Sequence, residues 1–180
     1  MRTNKIIILI GNRNTGKTIF SKYLIKEMGK KTLIVDTFNH PAYQSIERVK
    51  PSEIELLKRG IYRCFGGDVD NILKSCNSFT NGFLVFEDAT KYLRGQLKDF
   101  QRRFLYDSKQ KNVDILLMFH SFTACPPELF RIADVLLLKK TGDSPEIRKN
   151  DCPEFENVLK AFDVVKKSDN QYITKKVLLQ

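Results

Sequence analysis

Apolar residues gather in short runs that each close on a polar residue or glycine, at 5–10, 32–36, 60–65, 82–87, 114–119, 135–139 and 171–178. Runs of this length, nearly continuous in Val, Ile, Leu and Phe, read as strands, several of them buried on both faces. Between them the apolar spacing turns helical. One such stretch covers 17–28 and is closed by Gly29; another covers 51–59, where Ser52 and Glu55 stand at capping-box spacing and Gly60 follows. Further helices are predicted over 68–76, over about 91–109, and over 127–132 and 153–162, each of the last two opening on a proline. This alternation predicts an α/β fold, a mostly parallel central sheet with helices on both faces, its last strand pairing antiparallel at an edge. No internal repeat or linker interrupts it. A single domain over 1–180 is expected, with a core of about 1–140 and a C-terminal helix and edge strand filling about 141–180.

Composition adds bounds. With 42% hydrophobic and 29% charged residues, the chain can build a core and lacks the signature of disorder. Cys64, Cys76, Cys125 and Cys152 form no C-x-x-C pair, and His40 and His120 cannot complete a finger-type zinc pattern, so reduced, partly buried thiols in a cytoplasmic protein are expected. The apolar run Ile6 to Ile10 is too short for a signal peptide or a membrane span, and nothing longer follows. The 31 basic residues exceed the 21 acidic by 10, a surplus that suits a polyanionic partner such as nucleic acid or an anionic membrane surface.

The chemistry begins directly after the first strand. Gly11-Asn12-Arg13-Asn14-Thr15-Gly16-Lys17-Thr18 satisfies G-x-x-x-x-G-K-[ST] at every fixed position and stands between a strand and a helix. Glycines at both ends let the backbone curl so that successive N–H groups face phosphate oxygens, and the helix that follows adds its positive end. Gly11 to Thr18, with Ile19 next to them, are the candidate nucleotide-binding residues. Lys17 would bridge the β and γ phosphates of ATP, and Thr18 would offer its hydroxyl to Mg²⁺.

Such a loop needs acids at the end of a neighbouring strand, because magnesium on a triphosphate keeps waters that a carboxylate must orient. Phe83-Leu84-Val85-Phe86-Glu87-Asp88 supplies two. One can hold the hydrated metal while the other polarises the attacking water. His120, closing the strand 114–119, is a candidate to meet the γ phosphate or that water; a capped turn histidine is the plain alternative.

The densest positive stretch follows the paired acids. Lys91, Arg94, Lys98, Arg102, Arg103, Lys109 and Lys111 stand against Asp99 and Asp107 alone. On the helix expected there, Leu93, Leu97, Phe100 and Phe104 would face the core, while Arg94, Lys98 and Arg102 would form a stripe beside them. Arg94 and Lys98 are candidate contacts to a DNA backbone, and Arg102 and Arg103 candidate arginine fingers; a solvated helix face is the alternative.

Together these features resemble the FtsK and HerA superfamily of P-loop ATPases, in its small viral genome-packaging and zonula occludens toxin-like (filamentous phage assembly) branches. The likeness lies in the P-loop, in Thr32-Leu33-Ile34-Val35-Asp36 followed by Asn39-His40-Pro41-Ala42-Tyr43, in Glu87-Asp88-Ala89, and in the run from Asn112 to Ser121 leading to Pro126-Pro127-Glu128-Leu129-Phe130. It implies a RecA-like fold with a sensor strand between the P-loop strand and the strand of the paired acids. It also implies a homo-oligomeric ring, a pentamer or hexamer, that moves double-stranded DNA with ATP, and viral capsid or assembly proteins as further partners. The family usually carries Asp-Glu where this chain has Glu87-Asp88, and Gln or Asn where it has His120. By family order Glu87 goes to the metal and Asp88 to the water, and Arg102 or Arg103, with Arg131 in reserve, would reach a neighbouring subunit's γ phosphate, since the resembling ring ATPases place positive charge near a subunit boundary.

The leading expectation is an ATP hydrolase that drives duplex DNA, for example into a capsid. A small P-loop nucleotide kinase is the rival enzyme, although the chain has no Asp-Arg dipeptide of the kind such kinases share. An assembly factor that uses ATP as a switch is the non-enzymatic alternative. A GTPase is disfavoured by the absence of N-K-x-D and T-K-x-D.

Overall fold

The computed structural model describes residues 4–36 and 38–179. Eight strands form one sheet: β1 (Ile6–Ile10), β2 (Thr32–Val35), β3 (Glu47–Arg48), β4 (Ile61–Cys64), β5 (Gly82–Phe86), β6 (Val113–Phe119), β7 (Val135–Leu138) and β8 (Lys175–Leu178). Five α-helices accompany them: α1 (Lys17–Met28), α2 (Val69–Ser75), α3 (Asp99–Tyr106), α4 (Pro127–Ile132) and α5 (Phe155–Lys167). The strand order is β3-β4-β2-β5-β6-β1-β7-β8.

The chain divides into two compact units. One holds the described residues before Ile6 together with Thr18–Glu87 and Lys98–Leu116; the other holds Ile6–Lys17, Asp88–Leu97 and the chain from Leu117 onward. In the first, β2 pairs in parallel with β4 and with β5, and β3 with β4. In the second, β1 pairs in parallel with β7, and β8 runs antiparallel to β7 as Val177 faces Leu136. Every residue of β2, β5, β6 and β7 is buried, which explains why these strands read as continuous apolar runs. Each Val, Leu, Ile, Phe or Met side chain among them contributes about 1.5–3 kcal/mol by leaving water.

Besides β3, which no apolar run announced, and α5, which ends at Lys167 instead of residue 162, three elements differ from the sequence reading. The helix expected over 91–109 is two pieces, a 3-10 turn Ala89–Lys91 and α3, because Gly95 adopts φ 58°, which no right-handed helix contains. Arg94, Lys98 and Arg102 therefore share no helical stripe: Arg94 lies in the intervening loop, Lys98 is the residue before α3, and Arg102 lies within it. The apolar set expected there is nonetheless buried at Leu93, Leu97 and Phe104, and Phe104 stacks on Phe86 with ring centroids 5.1 Å apart, while Phe100 is half-buried.

The segment 51–59 is a 3-10 helix over Pro51–Leu56 instead of an α-helix. Its start is closed by Glu53, whose carboxylate accepts from the Lys50 N–H at 2.7 Å while the Glu53 N–H donates to the Lys50 carbonyl at 3.0 Å, so the closure forms two residues earlier than Ser52 and Glu55 suggested. The last strand begins at Lys175 instead of residue 171, leaving 170–174 as irregular backbone. All four cysteines are free and buried. Among the described residues no helix is long and apolar enough to cross a membrane.

Candidate functional site: the P-loop and the paired acids

The P-loop lies in the second unit, at the carboxyl end of β1. The Gly11 N–H donates to the Phe119 carbonyl at 3.1 Å and the Asn12 N–H to the Lys140 carbonyl at 2.7 Å, so the loop is tied to the ends of β6 and β7. These two donors are engaged, and the N–H groups that could face phosphate come later in the loop. A Cβ on Gly11 would stand 2.7 Å from Lys139 Cβ and 2.8 Å from Thr15 Oγ1, so the first glycine of the motif is required by close packing. Asn14 and Gly16 both take positive φ, 63° and 78°, and give the loop its curl. The Thr15 hydroxyl donates to the Asn12 carbonyl at 2.8 Å and holds the turn. Arg13 is exposed, and Ile19, at the start of α1, is 72% exposed.

Lys17 is buried and folded back on the loop, donating to the Gly11 carbonyl at 2.6 Å and the Asn12 carbonyl at 2.9 Å. Its Nζ also lies 3.1 Å from His120 Nδ1. An ammonium only donates, so in the neutral ring Nδ1 is the acceptor and the proton sits on Nε2. Nε2 faces Asp88 Oδ1 at 2.9 Å, and Asp88 Oδ2 pairs with Lys91 Nζ at 3.0 Å. The His120 N–H reaches Thr90 Oγ1 at 3.3 Å. Burial would raise the Asp88 carboxyl, but hydrogen bonds and charge from His120 and Lys91 outweigh it and bring its pKa down to about 2. Asp88 takes the left-handed conformation, φ 49° and ψ 53°, which Asp tolerates better than most residues.

Glu87 belongs to the first unit and has different company. Its Oε1 accepts from the Thr18 hydroxyl at 3.1 Å and its Oε2 from the Tyr43 hydroxyl at 2.9 Å. Ser21 Oγ stands 2.7 Å from Tyr43 OH and donates to the Thr18 carbonyl at 2.9 Å. Burial raises the Glu87 carboxyl above its ordinary range, with the Tyr43 and Thr18 hydrogen bonds opposing the rise. Burial likewise pushes the Tyr43 phenol far up, so it stays a donor. Tyr43 is positioned by Asp36, fully buried at the end of β2. Its carboxylate accepts from the His40 N–H at 2.8 Å, and His40 caps the 3-10 turn Pro41–Tyr43.

The structure thus joins Thr18 with Glu87, and Lys17 with His120 and Asp88. It does not bring the basic candidates into either group by any described contact. Arg94 is exposed and donates from Nε to the Thr90 carbonyl at 2.7 Å; Lys98 pairs with Asp70 at 2.6 Å; Arg102 lies 3.6 Å from Asp99; Arg103 is exposed; and Arg131 pairs with Asp151 at 2.6 Å. Tyr43 and Ser21 were not read from the sequence as site residues. Their signal is weak: Ser21 sits one helical turn after Thr18, whereas Tyr43 reaches Glu87 only through the fold.

The donor set fits a magnesium nucleotide. The second unit supplies a curled loop with required glycines and a lysine that donates to loop carbonyls and meets an imidazole acceptor, and the first supplies a hydroxyl–carboxylate pair; these are the kinds of group that phosphate and a hydrated hard cation use.

No family model matches the chain, and no curated protein matches it. Solved structures do. The genome-packaging NTPase of Sulfolobus turreted icosahedral virus 2, in complex with ATP-γS, superposes with a TM-score of 0.78 at 16% identity, covering 100% of this chain and 94% of that one. The DNA-packaging ATPase of Sulfolobus turreted icosahedral virus gives 0.72 at 15% identity, covering 99% and 94%. The N-terminal domain of zonular occludens toxin from Neisseria meningitidis gives 0.53 at 10% identity, covering 99% and 96%. At such identities the likeness establishes the fold, an α/β fold of the P-loop NTPase type. These neighbours come from the two branches that the sequence motifs resemble.

Proposed function

We propose that this protein is a magnesium-dependent ATP hydrolase that drives double-stranded DNA, in a viral genome-packaging role. The observation that carries the reading is the Thr18–Glu87 hydrogen bond. It pairs the P-loop hydroxyl with the first of the strand-end acids, the two groups that would share a hydrated Mg²⁺. Bound ATP would supply the γ phosphoanhydride and the metal its charge neutralisation. This chain's residues supply the rest. Lys17 would exchange its loop carbonyls for phosphate oxygens; Thr18 and Glu87 would hold the metal's shell; Asp88, ionised throughout the physiological range, would accept the proton of the attacking water with His120 beside it. Tyr43 keeps Glu87 in place.

DNA as the partner is supported by the net charge of +10 and by the packaging ATPases whose fold this chain shares. An oligomeric ring, with capsid or assembly proteins as further partners in the host cytoplasm, belongs to the same reading. The test is ATP hydrolysis measured with and without duplex DNA, with and without Mg²⁺, at several protein concentrations. Metal-dependent turnover stimulated by DNA is expected. Phosphate transfer to a nucleoside monophosphate, or turnover indifferent to DNA, would overturn the reading.

A further inference from the structure

The irregular segment between α5 and β8 is fastened to the P-loop. Gln171 Nε2 donates to the Asn14 carbonyl at 3.0 Å, and Lys139 Nζ donates to the Tyr172 carbonyl at 3.1 Å. The Tyr172 N–H donates in turn to Asn170 Oδ1 at 2.9 Å. The ring is set against the second glycine of the motif: a Cβ on Gly16 would lie 3.1 Å from Tyr172 Cδ1, with Lys139 Nζ at 4.0 Å. A stretch outside any helix or strand is therefore fixed by hydrogen bonds to the phosphate loop itself and to the end of β7. Even so, Tyr172 remains 59% exposed.

A tyrosine held this firmly would ordinarily cover apolar surface, but here it rests an edge on a glycine and presents its remaining area to solvent. Its position is at the rim of a loop whose concavity suits phosphates. A nucleotide with its phosphates in that loop must lead its sugar and base out over the rim. The neighbouring rim is the turn after β7, where the Lys140 carbonyl accepts from the Asn12 N–H at 2.7 Å and the Gly142 N–H donates to Asn12 Oδ1 at 3.3 Å. The phosphate loop, the turn and the tyrosine thus form one hydrogen-bonded assembly within the second unit.

We propose that Tyr172 is the platform on which the nucleobase of a bound nucleoside triphosphate stacks. The inference rests on the P-loop binding such a nucleotide, and it gives the C-terminal segment a role in the same site. Base–aromatic stacking needs a fixed ring with an open face and tolerates any base, since each has a π-face.

The chain contains no tryptophan, so Tyr172→Trp introduces a single indole reporter. ATP is expected to quench its fluorescence, and inorganic tripolyphosphate, which fills the loop without a base, is expected to bind and leave it unchanged. Independently, Tyr172→Ala is expected to weaken ATP binding about 10-fold while leaving tripolyphosphate affinity unchanged, and Tyr172→Phe to bind ATP like wild type. Equal loss for both ligands in Tyr172→Ala would mean that the ring merely supports the loop, and undiminished ATP affinity would mean that no base rests there; either result overturns the platform. Wild-type protein that binds neither ATP nor tripolyphosphate would overturn the P-loop reading and this inference with it. If the Trp variant does not fold, the Ala and Phe measurements decide.

Discussion

His120 stands between Lys17 and Asp88, its Nδ1 3.1 Å from the lysine Nζ and its Nε2 2.9 Å from the carboxylate. The ring stands between the P-loop cation and the second of the paired acids, its Nδ1 turned to the lysine and its Nε2 to the carboxylate. A Gln or Asn at this position would offer the same donor and acceptor pair on a shorter or more flexible arm. The histidine therefore keeps the polarity that a Gln or Asn would give the link.

The depressed Asp88 carboxyl has a consequence for acid stability. Burial opposes the shift, and the hydrogen bonds and charge of His120 and Lys91 carry it from 3.8 to about 2. A carboxyl whose folded pKa is lowered stabilises the protein above its unfolded pKa, and the contribution disappears as pH falls through the folded one. Denaturant unfolding should find Asp88→Asn less stable than wild type at pH 7, with the gap closing between about pH 4 and pH 2. A gap constant across this window would separate Asp88 from His120 and Lys91.

Glu87 should behave in the opposite way. Burial raises its carboxyl, so its ionised form is disfavoured by folding, and stability falls as pH rises from 4.5 through the folded pKa. Glu87→Gln is therefore expected to melt no lower than wild type at pH 7 while losing ATP turnover. Tyr43→Phe removes a hydrogen bond that holds the carboxyl down and should lift it further, moving the acidic limb of the pH–rate profile upward. A destabilised Glu87→Gln protein, or one with normal turnover, would contradict the assignment.

Lys17→Ala is expected to abolish ATP binding in a protein that still folds. The lysine donates to the Gly11 and Asn12 carbonyls and meets His120 Nδ1, polar contacts made at the loop and not by the apolar strands of the core. Calorimetric titration of the folded variant with ATP is the measurement, and wild-type affinity would remove Lys17 from the phosphate site.

Arg94 and Lys98 stand on separate elements, so their effects on DNA binding should add. If each meets a phosphate, removing one should reduce the slope of log affinity against log salt by about 0.9, and removing both by about twice that. Affinities for a duplex measured across a salt series give the slope directly. An unchanged slope in the double variant would assign both side chains to solvent and to their protein partners.

Hydrolysis should depend on assembly if Arg102 or Arg103 serves a neighbouring subunit. An arginine supplied in trans accelerates phosphoryl transfer by roughly 10³- to 10⁵-fold. Mixing Lys17→Ala subunits with subunits carrying both Arg102→Ala and Arg103→Ala should restore turnover that neither protein has alone. Full activity in the double-arginine protein would exclude both residues; Arg131, tied to Asp151, would be the next to substitute.

The sequence by itself determined the P-loop, the acids at the end of β5, the histidine at the end of β6, and the alternation that makes the sheet parallel. All of these are local: apolar runs report burial on both faces, and the glycine–lysine spacing reports a curled backbone between strand and helix. Local reading failed where one residue's backbone overrode the pattern. At Gly95 a left-handed φ divided a helix that apolar spacing alone had drawn through it. What only the tertiary structure decided are pairings between residues far apart in the chain. Lys17 meets His120 across 103 positions, Glu87 meets Tyr43 across 44, and Gln171 meets Asn14 across 157. Such contacts are fixed by strand order and by where each strand ends, and neither periodicity nor motif spacing encodes them. For the same reason the two adjacent acids, alike in sequence, acquire opposite pKa shifts: Glu87 is buried beside hydroxyls, and Asp88, turned into the left-handed region, faces an imidazole and a lysine.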